Sequence, residues 1–314
     1  MSGLETAVVS ASSEHVTLHV DDAEAAILAE AEETYQARKL GFWFWASVGW
    51  LTFLVLSAVF ADLLPLKDPT ATFRGVARDG PSAAHWFGAD NIGHDVFSRT
   101  IYGARSSLAV AAIATALGML VGTALGMIAG FYRGFLDTVI TAALNVLLAV
   151  PFLVFALALV SFLAPAGKAS PSEQSFWVTV ALAVIVVPTL ARVVRAQTMV
   201  WADRDFVLAS RTLGTRNLRI MMKEILPNVI PAIISFAFLV CAVLIIAQAA
   251  LAFFGVGDVS GVSWGIMIQN GRSQLDRAPH MVLFPAMFLA FTVLALNFIG
   301  DAVLARFNVR EAGI

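Results

Sequence analysis

A six-helix, all-α membrane protein is the fold this sequence predicts, on three observations. Of 314 residues, 59% are hydrophobic and only 13% are charged, against about 25% charged in an ordinary soluble domain. The apolar residues gather in six runs free of Asp, Glu, Lys and Arg, at 40–61, 106–132, 138–167, 174–191, 225–257 and 278–300. The shortest is 18 residues long, and a helix needs about 20 apolar residues to cross a ~30 Å hydrocarbon core. Lipid offers backbone N–H and C=O groups no partner, so each run must satisfy its own, as a helix does.

Ahead of the first span, residues 1–39 form a tail with eight Asp or Glu before Arg38 and no Lys or Arg among them. Such a start lacks the basic region of a secretory signal and reads as a solvated, cytosolic segment; 40–314 is the membrane domain. The second span carries Ala114, Gly118, Gly122, Gly126 and Gly130 at every fourth position. In lipid, helices associate by close backbone approach along small-residue ridges, so this span is expected to be a packing helix. Prolines at 151, 188, 227, 231 and 285 mark breaks or kinks, because each removes a backbone donor. Cys241, the single cysteine, excludes an internal disulfide and a thiolate metal site. The net charge of −2 gives no footing to a nucleic-acid partner.

The distribution of Lys and Arg sets orientation. With a cytosolic N-terminus, twelve basic residues fall inside and eight outside, and seven of the twelve lie between Arg192 and Lys223. Both termini and that block are therefore expected in the cytosol. Asn145, Gln248 and Asn297 are polar residues within spans, and such residues usually face protein or water. They are the candidates for lining a translocation path, with interhelical hydrogen bonding as the plainer alternative. His85, His94 and Asp95 sit in a Gly-containing loop without a third ligand at defined spacing and are read as structural. Arg99 and Arg105 are expected to pair with Asp95 and with lipid headgroups, and His280 to hold an interface at the start of span six. No catalytic pair and no metal site is predicted.

The segment 197–227, between spans four and five, is the most informative. Asp203 or Asp205 can cap a short helix. Phe206, Ala209, Leu213 and Ile220 recur at helical spacing as an apolar face broken by a turn, and Gly214 suits a left-handed C-terminal cap. A second helix then climbs to Pro227. Two short amphipathic helices rich in arginine, beside the membrane, suit docking onto a cytosolic partner. A phosphate-binding loop requires GxxxxGK[ST]; the one Gly-Lys, Gly167-Lys168, precedes Ala169, so energy must come from another chain or an ion gradient.

This segment resembles the cytosolic loop of ABC-importer permeases, an EAA triplet, three residues, Gly, nine residues and Ile-x-Leu-Pro. Ala209, Gly214, Leu226 and Pro227 match, while Leu208, Ser210 and Glu224 depart from the pattern. The stretch from Asp205 to Gly214 is similar to the looser form in the peptide-importer branch. The run from His85 to Arg99, Tyr102 to Leu108, Trp264-Gly265 and Asn297 to Asp301 resembles the C-type permease subunit of dipeptide and oligopeptide ABC importers, in the same order. The resemblance implies the type I importer fold and an inner-membrane location. It also implies a second, homologous permease subunit, two ABC ATPases that bind ATP and Mg, and an extracytoplasmic substrate-binding protein. The ATPase would dock on Asp205, Phe206, Leu208, Ala209, Ser210, Arg211, Leu213 and Gly214. A non-peptide cargo such as haem or nickel complexes, and a gradient-driven secondary transporter, are the alternative functions.

Overall fold

The computed structural model describes residues 41–164, 170–256 and 261–311. The predicted tail, the end of the third run at 165–167 with the Gly-Lys pair, and the end of the fifth at Gly257 lie outside them. Within the compact unit Phe42–Leu304 the helices are α1 (Phe42–Val59), α2 (Val96–Tyr132), α3 (Gly134–Ala149), α4 (Phe152–Leu163), α5 (Pro171–Ala202), α6 (Asp205–Thr212), α7 (Asn217–Ile220), α8 (Leu226–Phe253) and α9 (Trp264–Gly271), with α10 (His280–Glu311) entering from it. A π turn at Met221–Ile225 joins α7 to α8.

Among the described residues, five helices are long and apolar enough to cross a membrane: α1, α2, α5, the run Asn217–Phe253 and α10. The third predicted span is not one rod. It breaks at Val150–Pro151 into α3 and α4, bent by 90° and counting as a sixth span only when taken together. Pro151 cannot donate to the preceding turn, and its extended neighbour Val150, at φ −87° and ψ +131°, is the conformation a following proline imposes.

Helices α2, α5 and α10 are each longer than their charge-free cores. Helix α2 begins ten residues before Ser106, where the Asp95 carboxylate accepts from the backbone N–H of Ser98 at 2.8 Å and caps it. At 37 residues, or about 55 Å, it runs from one end of the bundle to the other. Helix α5 begins with a Ser170–Glu173 capping box and Pro171 and continues eleven residues past Ala191, because the Arg195 charge is met by Asp137 at 2.5 Å. Helix α10 likewise continues past Gly300.

The α2–α5 pair is the spine. Every glycine of the ridge faces α5, and built Cβ atoms would collide with it: at Gly122 with Leu190 Cβ at 2.8 Å, at Gly126 with the Ala191 carbonyl at 2.5 Å, at Gly130 with the Arg195 carbonyl at 2.7 Å, and at Gly118 with Val186 Cγ1. The ridge is a seam between backbones. Around it Leu54, Ala111, Ala114, Leu182, Leu190, Leu244 and Leu251 form the buried core. A second buried cluster closes the bundle where α2 ends, from Met127, Phe131, Val194, Val207, Ile220, Ile225 and Val229.

Candidate functional site: the docking segment and the opposite loop

Helix α6 lies at the end of the bundle where α2 and α5 finish. Val207 anchors it, fully buried in the second cluster, and Ile220 of α7 is buried beside it. The predicted apolar face of Phe206, Ala209, Leu213 and Ile220 is therefore divided, Ile220 alone of the four being buried. Phe206 and Leu213 do not pack inward; they are 41% and 83% exposed, because the side of α6 that meets the bundle is the one bearing Val207. Phe206, Leu208, Ala209 and Leu213 are presented outward, and Leu218 and Met222 of the following segment are exposed too. An exposed apolar patch beside charged groups marks an interaction surface.

The expected capping by Asp203 or Asp205 is also corrected. Arg204 is the N-cap residue and no side chain caps α6. Asp205 sits in its first turn, where a carboxylate suits the helix dipole, and Asp203 instead accepts from Arg133 NH2 at 2.7 Å. That bond holds the α2–α3 junction, where Arg133 takes a positive φ of 51°, a strained conformation for a residue with a Cβ.

At the other end of α6 the expected left-handed cap is present. Gly214 has φ +74° with open space around it. Its N–H donates to the Arg211 carbonyl at 3.0 Å and that of Thr215 to the Ser210 carbonyl at 3.1 Å, the two bonds of a Schellman turn. Arg211 stacks over Phe131 of α2, 4.8 Å from the ring centroid. The Ser210 hydroxyl donates to Glu224 Oε1 at 2.8 Å, tying α6 to the π turn. Sequence reasoning missed this link, although both partners are polar departures from the motif, and that shared polarity was its signal.

The three polar residues proposed for a path are not brought together. Asn145 Oδ1 accepts from Arg192 NH2 at 3.0 Å. Asn297 donates to the Val293 carbonyl of its own helix at 2.9 Å. Gln248 is buried beside a small cleft lined by Ser106 and Ser175.

About 55 Å away, at the start of α2, the loop between α1 and α2 folds on its own carboxylates. Asp95 meets His85 Nδ1 at 2.8 Å while capping α2, and Asp90 meets His94 Nδ1 at 2.8 Å. Hydrogen bonds from the Thr70 hydroxyl and backbone hold the exposed Asp68 carboxyl below its ordinary range. Arg99 does not pair with Asp95: it is buried and donates to the Pro69 carbonyl at 3.1 Å. Arg105 pairs with Asp62 at 3.2 Å. His280 Nε2 lies 3.1 Å from the Ala89 carbonyl, pinning α10 to this loop. Trp264 is fully buried, and its Nε1 donates to the Thr100 carbonyl at 2.9 Å.

A helical multi-pass membrane protein with an anchored short helix presenting exposed apolar residues at one end and an ordered loop at the other is the class this geometry defines. The profile of the family described as binding-protein-dependent transport system inner membrane component matches residues 122–312, and the chain belongs to that family. It is 36% identical over 254 residues to the dipeptide transport system permease protein DppC of Alkalihalophilus pseudofirmus, covering 81% of each. It is 36% identical over 252 residues to the glutathione transport system permease protein GsiD of Escherichia coli, covering 80% of each. Among solved structures it resembles an inward-facing form of the MetNI methionine ABC transporter, with a TM-score of 0.55, 20% identity, and coverage of 68% of this chain and 95% of that one. That likeness concerns the fold.

Proposed function

We propose that this chain forms half of the translocation pathway of an ATP-driven peptide importer. A second, homologous permease subunit supplies the other half. Two ABC ATPases bind and hydrolyse ATP with Mg, and an extracytoplasmic protein delivers the peptide. The chain itself has no nucleotide site in this reading. The relatives named for dipeptide and glutathione transport support the cargo class.

The observation that carries the reading is the outward face of α6, where Phe206, Leu208, Ala209 and Leu213 stand clear of a helix fixed from behind by Val207. Nucleotide must bind the two states of the transporter unequally to shift them, and a rigidly anchored α6 is the element through which that difference reaches the spans. Ala209→Glu places an unpaired charge in the docking face, and Gly214→Val forces a Cβ into the left-handed region at roughly 1–2 kcal/mol. Both variants are expected to insert and fold, since neither position touches the bundle. They are also expected to lose transport and the ATPase stimulation given by loaded binding protein. Transport at the normal rate by both, measured in proteoliposomes, makes this segment an ordinary connector.

Orientation follows from the basic block. Both termini, Arg133 and residues 203–224 lie in the cytosol in this reading, the cytosolic segment starting after Ala202, where α5 ends. A cysteine at position 216 in a Cys241→Ser background is expected to resist impermeant maleimide in intact cells and to react after permeabilisation. Efficient external labelling at 216 reverses the topology.

A further inference from the structure

Helix α3 buries none of its residues. Charged and polar groups tie it to α5: Arg195 grips Asp137 through two bonds, Nε at 2.5 Å and NH2 at 2.6 Å, and Arg192 donates to Asn145. The two arginines differ in one respect. Arg195 is neutralised by Asp137, whereas the exposed Arg192 has only the neutral amide of Asn145 and no carboxylate within ion-pairing distance among the described residues.

Depth gives this difference its meaning. Arg192 lies ten residues before the end of α5 at Ala202, or about 15 Å along the axis. Asn145 lies eleven residues after the start of α3 at Gly134, about 17 Å from the same end of the bundle. With 32 residues, α5 is about 48 Å long and overruns a ~30 Å hydrocarbon core by about 9 Å at each end when centred. Arg192 then sits about 6 Å inside the core boundary. A cation at membrane depth faces the protein interior or a water-filled cavity. An independent feature points the same way. The 90° break at Val150–Pro151 leaves exposed irregular backbone six residues from Asn145, which lipid does not tolerate and which needs either cover from another protein chain or a water-filled cavity.

We propose that the α3–α5 seam lines the translocation path and that Arg192, oriented by Asn145, binds the terminal carboxylate of the passing peptide. Guanidinium carries five donors in a planar fork matched to carboxylate; Asn145 engages NH2 and leaves the others for cargo. The terminal carboxylate is common to unmodified peptides whatever their side chains, so one fixed cation serves cargo of mixed sequence. This inference rests on the peptide reading above.

The test uses the complete transporter in proteoliposomes with its binding protein. Its cargo is a radiolabelled cysteine-containing dipeptide and that dipeptide's C-terminal amide. Arg192→Gln is expected to cut import of the free acid about tenfold or more, the scale of a lost charge-assisted hydrogen bond, and to lower the acid-to-amide import ratio. Arg192→Lys is expected to restore part of that ratio. In a Cys241→Ser background, Asn145→Cys is expected to trap the dipeptide as a mixed disulfide during turnover when copper–phenanthroline is added as the oxidant that takes up the two electrons of the two thiols, and adding Arg192→Gln to diminish the adduct. Import and ratio unchanged in Arg192→Gln, with no adduct at 145, overturn the proposal and leave Arg192 a headgroup anchor. If Arg192→Gln does not assemble, the adduct at 145 and the Arg192→Lys ratio decide. A wild-type complex that imports no peptide overturns the functional reading itself.

Discussion

Gly126→Leu is expected to abolish the folded subunit. At this position an added Cβ meets the Ala191 carbonyl at 2.5 Å, Val194 Cβ at 2.8 Å and the Arg195 backbone nitrogen at 3.0 Å. Two of these are main-chain atoms of α5, which cannot rotate out of the way. Overpacking in a soluble core costs about 1–3 kcal/mol where side chains can adjust; here relief requires the two helices to part. Lipid does not drive them back together, since its tails are as apolar as the helix surfaces. Gly41→Leu, with nothing within 4 Å of the built Cβ, is the matched control. Yield in detergent, monodispersity and co-purification of the partner permease are the measurements. Normal values for Gly126→Leu place the seam elsewhere.

Trp264→Ala is expected to be the second most damaging change. The indole is fully buried at the first turn of α9 and reaches across to α2, where it donates to the Thr100 carbonyl at 2.9 Å. Truncating a buried Trp costs about 3–5 kcal/mol, and loss of α9 from its seat also frees the start of α2 beside the Asp95 loop. Trp264→Phe separates the contributions. It retains most of the ring and removes only the hydrogen bond, worth about 1 kcal/mol. A large loss of thermal stability in detergent for Ala and a small one for Phe is the expected pattern. Equal losses would put the weight on the hydrogen bond instead.

What was legible from the residues follows from how local each feature is. Charge-free runs located the five long apolar helices and the bent α3–α4 pair, because exclusion of charge from lipid acts on each segment alone. The same rule ended α5 at Ala191, eleven residues early: the helix continues because Arg195 finds Asp137, 58 residues back in the chain, and no local pattern reports such a partner. The glycine ridge was legible because small residues at a spacing of four have one physical use in a membrane. Pro151 was legible as a break, but the 90° turn depends on what packs against α4. On α6, eight residues could not show which side meets the bundle, so Ile220 was grouped with Phe206, Ala209 and Leu213 on one face, and Val207, the residue that anchors the helix, went unremarked. Gly214 was read correctly because a left-handed turn depends on its own backbone. Asp203 was expected to cap and instead holds Arg133, seventy residues away.

The glycine seam has a consequence for how the chain is made. Gly118 of α2 meets Val186 of α5, and 68 further residues, Val186 included, must be synthesised before the contact exists. At ~5–20 residues per second, α2 spends roughly 3–14 seconds in or beside the insertion machinery with its partner unmade. A stripe of glycine presents bare main chain, and any other helix with small residues can mate with it in that interval. The order of synthesis therefore exposes the strongest contact of the finished fold as its most promiscuous surface at birth. A ribosome stalled before α5 would leave that stripe unmated, a fragment fit for membrane quality control rather than assembly.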